Sequence, residues 1–205
     1  MPTAPDITPR KRPRQRRARE TERAILGAAE RVLVEEGPAS FNTNRIAEVA
    51  GVSIGSLYQY FPNKAAILHR LHVVENATTF AAVSDALEGQ GGSPVDRLRA
   101  AIRVFFETER AEAPLRSALE FASAHDRDGA HFREVERRGI ELVRGFLDDA
   151  LRPRRRRDAE REARFVYVTV TSVAEAASVR ATGARDLRQW ADECADMLAR
   201  HLELA

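Results

Sequence analysis

The stretch FNTNRIAEVAGVSIGSLYQYFPNK, residues 41–64, is the most informative part of this chain because it encodes two short helices joined by a tight turn. Asn42 or Thr43 can cap the first helix with a side-chain oxygen. Gly51 ends that helix, since glycine takes the left-handed conformation without steric cost, and Ser53 can cap the next one. Two helices joined this closely are predicted to cross steeply, as in a helix-turn-helix, rather than to form an antiparallel hairpin.

The second helix of this stretch has one apolar side and one polar, uncharged side. Leu57 and Phe61 repeat at i and i+4 and therefore anchor the helix to the core. On the outer side Gly55 allows a partner to approach the backbone closely, and Gln59 can bond a base edge with two hydrogen bonds. Serine hydroxyls can bond bases or phosphates, and the phenols of two tyrosines can reach phosphate oxygens. The alternative interpretation is an ordinary packed helical corner with half-buried tyrosines.

The pattern resembles the DNA-binding domain of the tetracycline-repressor (TetR) family of transcriptional regulators. The family reads Thr-x-x-x-Ile-Ala-x-x-Ala-Gly-Val-Ser-x-Gly-x-Leu-Tyr-x-Tyr-Phe-x-x-Lys, and this chain matches it at Thr43, Ile46, Ala47, Ala50, Gly51, Val52, Ser53, Gly55, Leu57, Tyr58, Tyr60, Phe61 and Lys64. It departs at Asn42, where the family often has Thr, although either residue caps a helix. The expected DNA contacts are Arg12, Arg14, Arg16, Arg17, Thr43, Ser53, Ile54, Gly55, Ser56, Tyr58, Gln59, Tyr60 and Lys64.

The residues that precede the motif fall into an arm and a supporting helix. Residues 21–37 have apolar positions at helical spacing, with Thr21 as the predicted cap and Gly37–Pro38 as the stop. Residues 1–19 are rich in arginine and proline, so we expect this arm to be disordered by itself. Residues 24–64 carry three basic and four acidic side chains, which leaves the arm to supply the attraction to phosphates. The alternative is a solvating tail or a cloning remnant.

The remainder of the chain is predicted to be helical, with glycine and proline marking the breaks. The segment Phe165–Val173 is rich in β-formers, but strong helix formers flank it, so helix is predicted there too. The expected helices are 64–88, 94–110, a helix that starts at Pro114 and fades at 126, then 130–151, 158–181 and 185–203. The predicted fold class is all-α, with a basic arm (1–19), a three-helix helix-turn-helix domain (20–64) and a larger helical effector-binding and dimerisation domain (65–205).

The resemblance implies a homodimer held by a four-helix bundle of the last two helices, and a small-molecule pocket in the middle of the chain. The predicted dimer residues are Val170, Val173, Ala174, Ala177, Trp190, Cys194 and Met197. The predicted effector lining is Phe105, Phe106, Phe121, His125 and Tyr167. The alternatives are that the two apolar faces belong to a monomeric core and that the aromatic residues are ordinary packing.

Composition and motif searches narrow the functional classes. The chain has 205 residues and a single cysteine, so a disulfide framework within the chain is excluded and a reducing, cytoplasmic location is expected. It has no apolar run of about 20 residues for a membrane span. His69, His72 and Glu75 do not complete a metal site, and the sequence carries no phosphate loop, nucleophile elbow or catalytic carboxylate pair.

We therefore expect a non-enzymatic repressor without a cofactor, released from a palindromic double-stranded operator by a small, mainly apolar effector. Three alternatives stay open: a helical carrier or enzyme that retains the DNA module, an activator, and a regulator that needs no ligand.

The basic arm generates a testable prediction. Deleting residues 1–19 should weaken binding to all DNA sequences by a similar factor, because phosphate contacts carry no sequence information. The slope of log affinity against log salt should flatten by about 0.9 for each lost phosphate contact. Titrations at several salt concentrations measure this slope, and an unchanged slope would contradict the role of the arm.

Overall fold

The computed structural model describes residues 16–89, 91–122, 129–151 and 159–204, and within these ranges the regular structure is entirely helical. The predicted all-α fold class is therefore confirmed. The α-helices are α1 (Arg16–Arg31), α2 (Thr43–Ala50), α3 (Ile54–Tyr60), α4 (Lys64–Leu87), α5 (Pro94–Ala122), α6 (Gly129–Ala150), α7 (Ala159–Arg180) and α8 (Ala184–Leu202). A π-turn (Val32–Glu36) extends α1, and a 3-10 turn (Pro38–Ser40) precedes α2.

The junction between α2 and α3 forms as the sequence predicts. The Asn42 side chain accepts a hydrogen bond from the Arg45 amide at 2.9 Å and so caps α2. Gly51 adopts a left-handed φ of 66°, which lets its N–H and that of Val52 satisfy the last carbonyls of the helix. Ser53 then caps α3 by accepting a hydrogen bond from the Ser56 amide at 3.1 Å.

The chain divides into two compact units, of which the first contains Met1–Glu75 and Pro114–Arg127. Its core joins the helix-turn-helix to α1, α4 and the last part of α5. The fully or almost fully buried core residues include Ile25, Leu33, Phe41, Ile46, Leu57, Phe61, Ile67 and Leu119. Polar pairs link the same elements: Arg70 lies 2.9 Å from Glu22, and Arg116 lies 2.9 Å from the buried Glu75.

The start of α1 differs from the prediction. The helix begins at Arg16, so residues 16–19, which the sequence assigns to the arm, are helical. Thr21 is not the N-cap, because it lies within α1. Its hydroxyl donates a hydrogen bond to the carbonyl of Arg17, one turn earlier. Residues 1–15 lie outside the described residues, so a deletion that spares α1 would end at residue 15.

The prediction that Pro114 starts a new helix is wrong. Helix α5 runs without a break from Pro94 to Ala122 and contains Pro114 in its interior. Proline removes one amide donor, which leaves the carbonyl of Arg110 without its helical partner. Pro114 is exposed, and good helix formers lie on both sides of it, so the helix tolerates the loss.

The second unit contains Asn76–Ala113 and Asp128–Ala205. Its core includes Leu98, Ile102, Phe106, Leu147, Val166, Leu187, Leu198 and Leu202. Two ion pairs tie α5 to α8, between Arg99 and Asp196 and between Arg103 and Asp192, each at 2.6 Å. None of the helices in the described ranges is long and apolar enough to cross a membrane.

Helix α6 packs tightly against Tyr167 of α7 at Gly139. A Cβ atom at this buried position would lie 2.7 Å from Cδ2 of Tyr167 and would overlap Cε2 of the same ring. The tyrosine ring therefore occupies the space that a side chain at position 139 would need. Gly145, two turns later on the same helix, is exposed and has open space around it.

These two glycines make a matched pair for measuring the close contact. Gly139→Ala should lower the free energy of unfolding by about 1–2 kcal/mol, because the overlap with Tyr167 outweighs the gain in helix propensity. Gly145→Ala should raise it by up to about 1 kcal/mol, since it gains propensity alone. Urea denaturation followed by circular dichroism measures both, and equal stabilisation by the two variants would contradict the packing.

Candidate nucleic-acid interface

The outer side of α3 is the part of the first unit that the fold leaves uncovered. Leu57 is completely buried and holds the helix against the core, whereas Ile54, Gly55, Tyr58 and Gln59 are exposed. The predicted burial of Leu57 and exposure of Gly55 and Gln59 are therefore confirmed. Tyr60, which is also an expected DNA contact, is half-buried and packs partly against the core.

The described residues around Gly55 do not require a glycine at this position. Its backbone is helical, and a Cβ atom built there would find only the Ser53 hydroxyl, at 3.9 Å. A glycine inside a helix costs about 1 kcal/mol relative to alanine. Nothing in the described part of the chain accounts for this cost, whereas the close approach of another molecule to the α3 backbone would.

Several predicted contact residues use their polar groups within the motif. The hydroxyls of Ser53 and Ser56 lie 2.8 Å apart, and the Ser53 hydroxyl also caps α3. Thr43 and Tyr58 share a hydrogen bond of 3.1 Å, which connects the beginning of α2 to the exposed side of α3. This bond holds the Tyr58 phenol in a defined position on that surface.

Gln59 and Lys64 keep their polar groups available. Within the described ranges neither side chain has a hydrogen-bonding or ionic partner, and both are exposed. The Gln59 amide therefore offers both a donor and an acceptor, which is the pair that reads an adenine edge in the major groove. Lys64 begins α4 and adds a positive charge close to α3 in sequence.

Arg45 is a positioning residue that the sequence alone did not single out. It forms a bidentate pair with Glu36, with Nε to Oε2 at 2.9 Å and Nη2 to Oε1 at 2.8 Å, and it also contacts Glu48 at 2.8 Å. Hydrogen bonds to these two carboxylates raise the pKa of Arg45 above its ordinary value. Because its charge is balanced locally, Arg45 holds α2 against the end of the α1 extension instead of offering a free cation to a phosphate.

The arginines predicted to contact DNA divide between two regions. Arg12 and Arg14 lie outside the described residues. Arg16 is the first residue of α1, and Arg17 follows it with an exposed side chain. The described part of the arm therefore places Arg17 on the surface of the helix that supports the motif.

The predicted effector residues fall into three groups. Phe106 is fully buried in the core of the second unit, so it has no free surface for a ligand in this conformation. Phe105 and Tyr167 are half-buried. His125 and the side chain of Phe121 lie outside the described residues. Burial, followed by the charges of Glu136 and Glu109, raises the pKa of Tyr167.

The predicted dimer residues also differ in exposure. Ala174, Ala177 and Cys194 are core side chains of the chain itself, and burial raises the pKa of Cys194 to about 11. The side chains of Val170, Val173 and Trp190 pack partly against that core, while Met197 is exposed. Helix α7 also exposes three large apolar residues that the sequence pattern did not identify, namely Phe165, Val168 and Val179.

The histidines of the described ranges do not belong to a metal-binding cluster. In the described ranges no three His, Cys, Asp or Glu side chains are grouped closely enough to hold a metal ion. His72 instead lies 3.9 Å from Glu75, whose other oxygen receives the hydrogen bonds of Arg116. This cluster joins α4 to α5 inside the first unit.

Comparison with known proteins places the same segment in a regulatory family. The family model for bacterial regulatory proteins of the tetR family matches residues 25–71. An uncharacterized HTH-type transcriptional regulator of Mycobacterium tuberculosis (strain ATCC 25618 / H37Rv) is 31% identical over 163 residues, which cover 76% of this chain and 77% of the relative.

Solved structures resemble the whole fold. A transcriptional regulator of Rhodococcus sp. Rha1 superposes with a TM-score of 0.71 at 21% identity, over 90% of this chain and 98% of the other. A complex of SmeT with triclosan gives a TM-score of 0.66 at 25% identity, over 88% and 90% of the two chains. SmeT is the repressor of a multidrug efflux pump of Stenotrophomonas maltophilia.

The open space at Gly55 leads to a prediction in which stability and binding change in opposite directions. Gly55→Ala should stabilise the free protein by up to about 1 kcal/mol and still weaken specific DNA binding, because the new methyl group holds the partner away from the α3 backbone. Urea denaturation and DNA titration of the same preparation measure the two effects. Gly145→Ala is the matched control, with a similar gain in stability and unchanged DNA affinity; tight binding by Gly55→Ala would refute the close approach.

Proposed function

This chain belongs to the tetR family of bacterial regulatory proteins, and we propose that it is a homodimeric repressor that a small, mainly apolar effector releases from a palindromic operator. The family makes it a DNA-binding transcriptional regulator. The repressor role, the palindrome, the dimer and the effector are the parts that we propose.

The exposed side of α3 is the observation that carries the proposal. Gly55 leaves the helix backbone open, and Gln59 presents an amide without a partner in the described part of the chain. A short helix that is anchored by a buried Leu57 and capped by Ser53 presents this surface as a rigid edge. A rigid, polar and uncharged edge is suited to reading bases, while nearby basic residues hold the phosphates.

The outward face of α7 and α8 supports a second copy of the chain as the dimer partner. Phe165, Val168, Val179 and Met197 are between 43% and 81% exposed, which is unusual for large apolar side chains on two packed helices. A two-fold axis would present two α3 helices to half-sites one turn of DNA apart. The interface that we propose uses these four residues with Val170, Val173 and Trp190.

The effector part of the proposal draws on the second unit and on a structural neighbour. Phe105 and Tyr167 offer half-buried aromatic surface there, and SmeT, a neighbour of similar fold, has been solved with triclosan bound. An effector changes DNA affinity only if it binds one conformation more tightly than the other, with a typical coupling of about 1–3 kcal/mol.

Selection of bound duplexes from a random pool tests the DNA-binding part of the proposal. The wild-type protein should enrich a palindrome whose half-sites are centred about 34–36 Å apart, or a multiple of that distance. Gln59→Glu should change the preferred base at one position of each half-site from adenine toward cytosine, because a carboxylate accepts from the cytosine amino group. Enrichment without any palindrome, or the same motif for both proteins, would contradict the proposal.

The role of the dimer is measured on the selected duplex. Val168→Asp places a charge on the proposed interface and should convert the protein to a monomer that has lost tight binding to the full palindrome. Ala81→Asp adds the same charge at an exposed position of α4 and should leave both properties unchanged. Light scattering after size exclusion reports the mass, and a Val168→Asp protein that remains dimeric would contradict the interface.

A further inference from the structure

We propose that Ile54 contacts the 5-methyl group of a thymine in each half-site of the operator, and that this contact sets the base preference at that position. The inference rests on the proposed placement of α3 in the major groove. It identifies one base of the operator half-site as thymine.

Ile54 is an exposed apolar side chain that does not belong to the core of the first unit. It is the first residue of α3 and 38% exposed, whereas Leu57 and Phe61, which hold this segment to the core, are at most 1% exposed. One turn further on, the body of Tyr58 is 42% exposed. The described residues of the first unit have large exposed apolar side chains at four positions, and two of them lie on this seven-residue helix.

The neighbours of Ile54 leave it accessible to a base edge. Gly55 follows it without a side chain, and the hydroxyl of Ser53, which precedes it, is engaged in capping α3. Ile54 and Gly55 are therefore consecutive exposed positions at the beginning of α3. A partner that approaches the α3 backbone at Gly55 comes close to the position where Ile54 begins the helix.

The chemistry of the major groove then narrows the partner to one group. An isoleucine side chain neither donates nor accepts hydrogen bonds, so it cannot read the polar atoms of adenine, guanine or cytosine. The apolar feature that the four base pairs present in this groove is the thymine C5-methyl group. Contact with that methyl buries apolar surface on both molecules, which favours thymine over the other bases.

Replacing thymine by deoxyuridine isolates this contact. The substitution removes the methyl group and leaves the base-pairing and groove hydrogen-bonding groups in place. On the selected operator, each thymine of a half-site is replaced in turn. For the wild-type protein, one position should show an affinity loss of about fourfold per half-site, the change that corresponds to one buried methyl group.

The protein variants assign the loss to Ile54. Ile54→Ala should bind the thymine and deoxyuridine forms equally well at that position, and Ile54→Val should keep most of the preference. Val34→Ala removes a similarly exposed side chain from the π-turn, 43% exposed, and should keep the full preference. Ile54 is exposed and alanine favours helix, so the loss of preference would not reflect a failure to fold.

Each remaining outcome overturns the inference. A selected half-site without thymine, no loss with deoxyuridine at any position, or a thymine preference that Ile54→Ala retains would each do so. Failure of the proposed function has a different signature, because then Gln59→Glu would not change the selected sequence. A changed motif with Gln59→Glu and no effect of deoxyuridine would leave the DNA-reading helix in place and refute only the role of Ile54.

Discussion

The turn at Gly51 is the constraint on which the DNA-binding surface depends. Its left-handed backbone ends α2 and closes the last carbonyls, and the chain then needs only Val52 and Ser53 before α3 begins. With so few residues available, the direction of α3 is set by the turn and by the burial of Leu57, because rotation of the helix would expose that side chain. The side that carries Gly55 and Gln59 is outward for the same reason.

A second set of interactions fixes the orientation of α2 and α3 on either side of that turn. The pairing of Arg45 with Glu36 holds α2 to the end of the α1 extension, and the hydrogen bond between Thr43 and Tyr58 connects α2 to the exposed side of α3. Exposed ion pairs contribute little stability by themselves. A bidentate geometry nevertheless fixes orientation, and orientation is what a base-reading helix requires.

The glycines show how function can be separated from folding. Gly139 is explained within the chain, because the Tyr167 ring fills the space of its missing side chain. Gly55 has no such neighbour, and Gln59 and Ile54 on the same helix have a free amide and an uncovered apolar surface in the described structure. Residues that do not stabilise the folded chain are expected at sites where a binding partner supplies the interactions that the fold does not. Three of them lie on the seven-residue helix α3, which supports the proposal that this helix is the contact surface.

The local structure around α2 and α3 could be predicted from the residues alone, because caps, a left-handed glycine and apolar spacing act over a few residues. The sequence also predicted helix across Phe165–Val173, where flanking helix formers outweigh β-propensity. The sequence did not reveal whether Pro114 breaks α5, because the cost of the lost hydrogen bond depends on whether the proline is exposed to solvent. It also did not reveal that Leu119 of α5 joins the core of the first unit. The tertiary structure was needed to show that Ala174 and Ala177 are core while Phe165, Val168 and Val179 are exposed, because α7 carries apolar residues on both its covered and its exposed side.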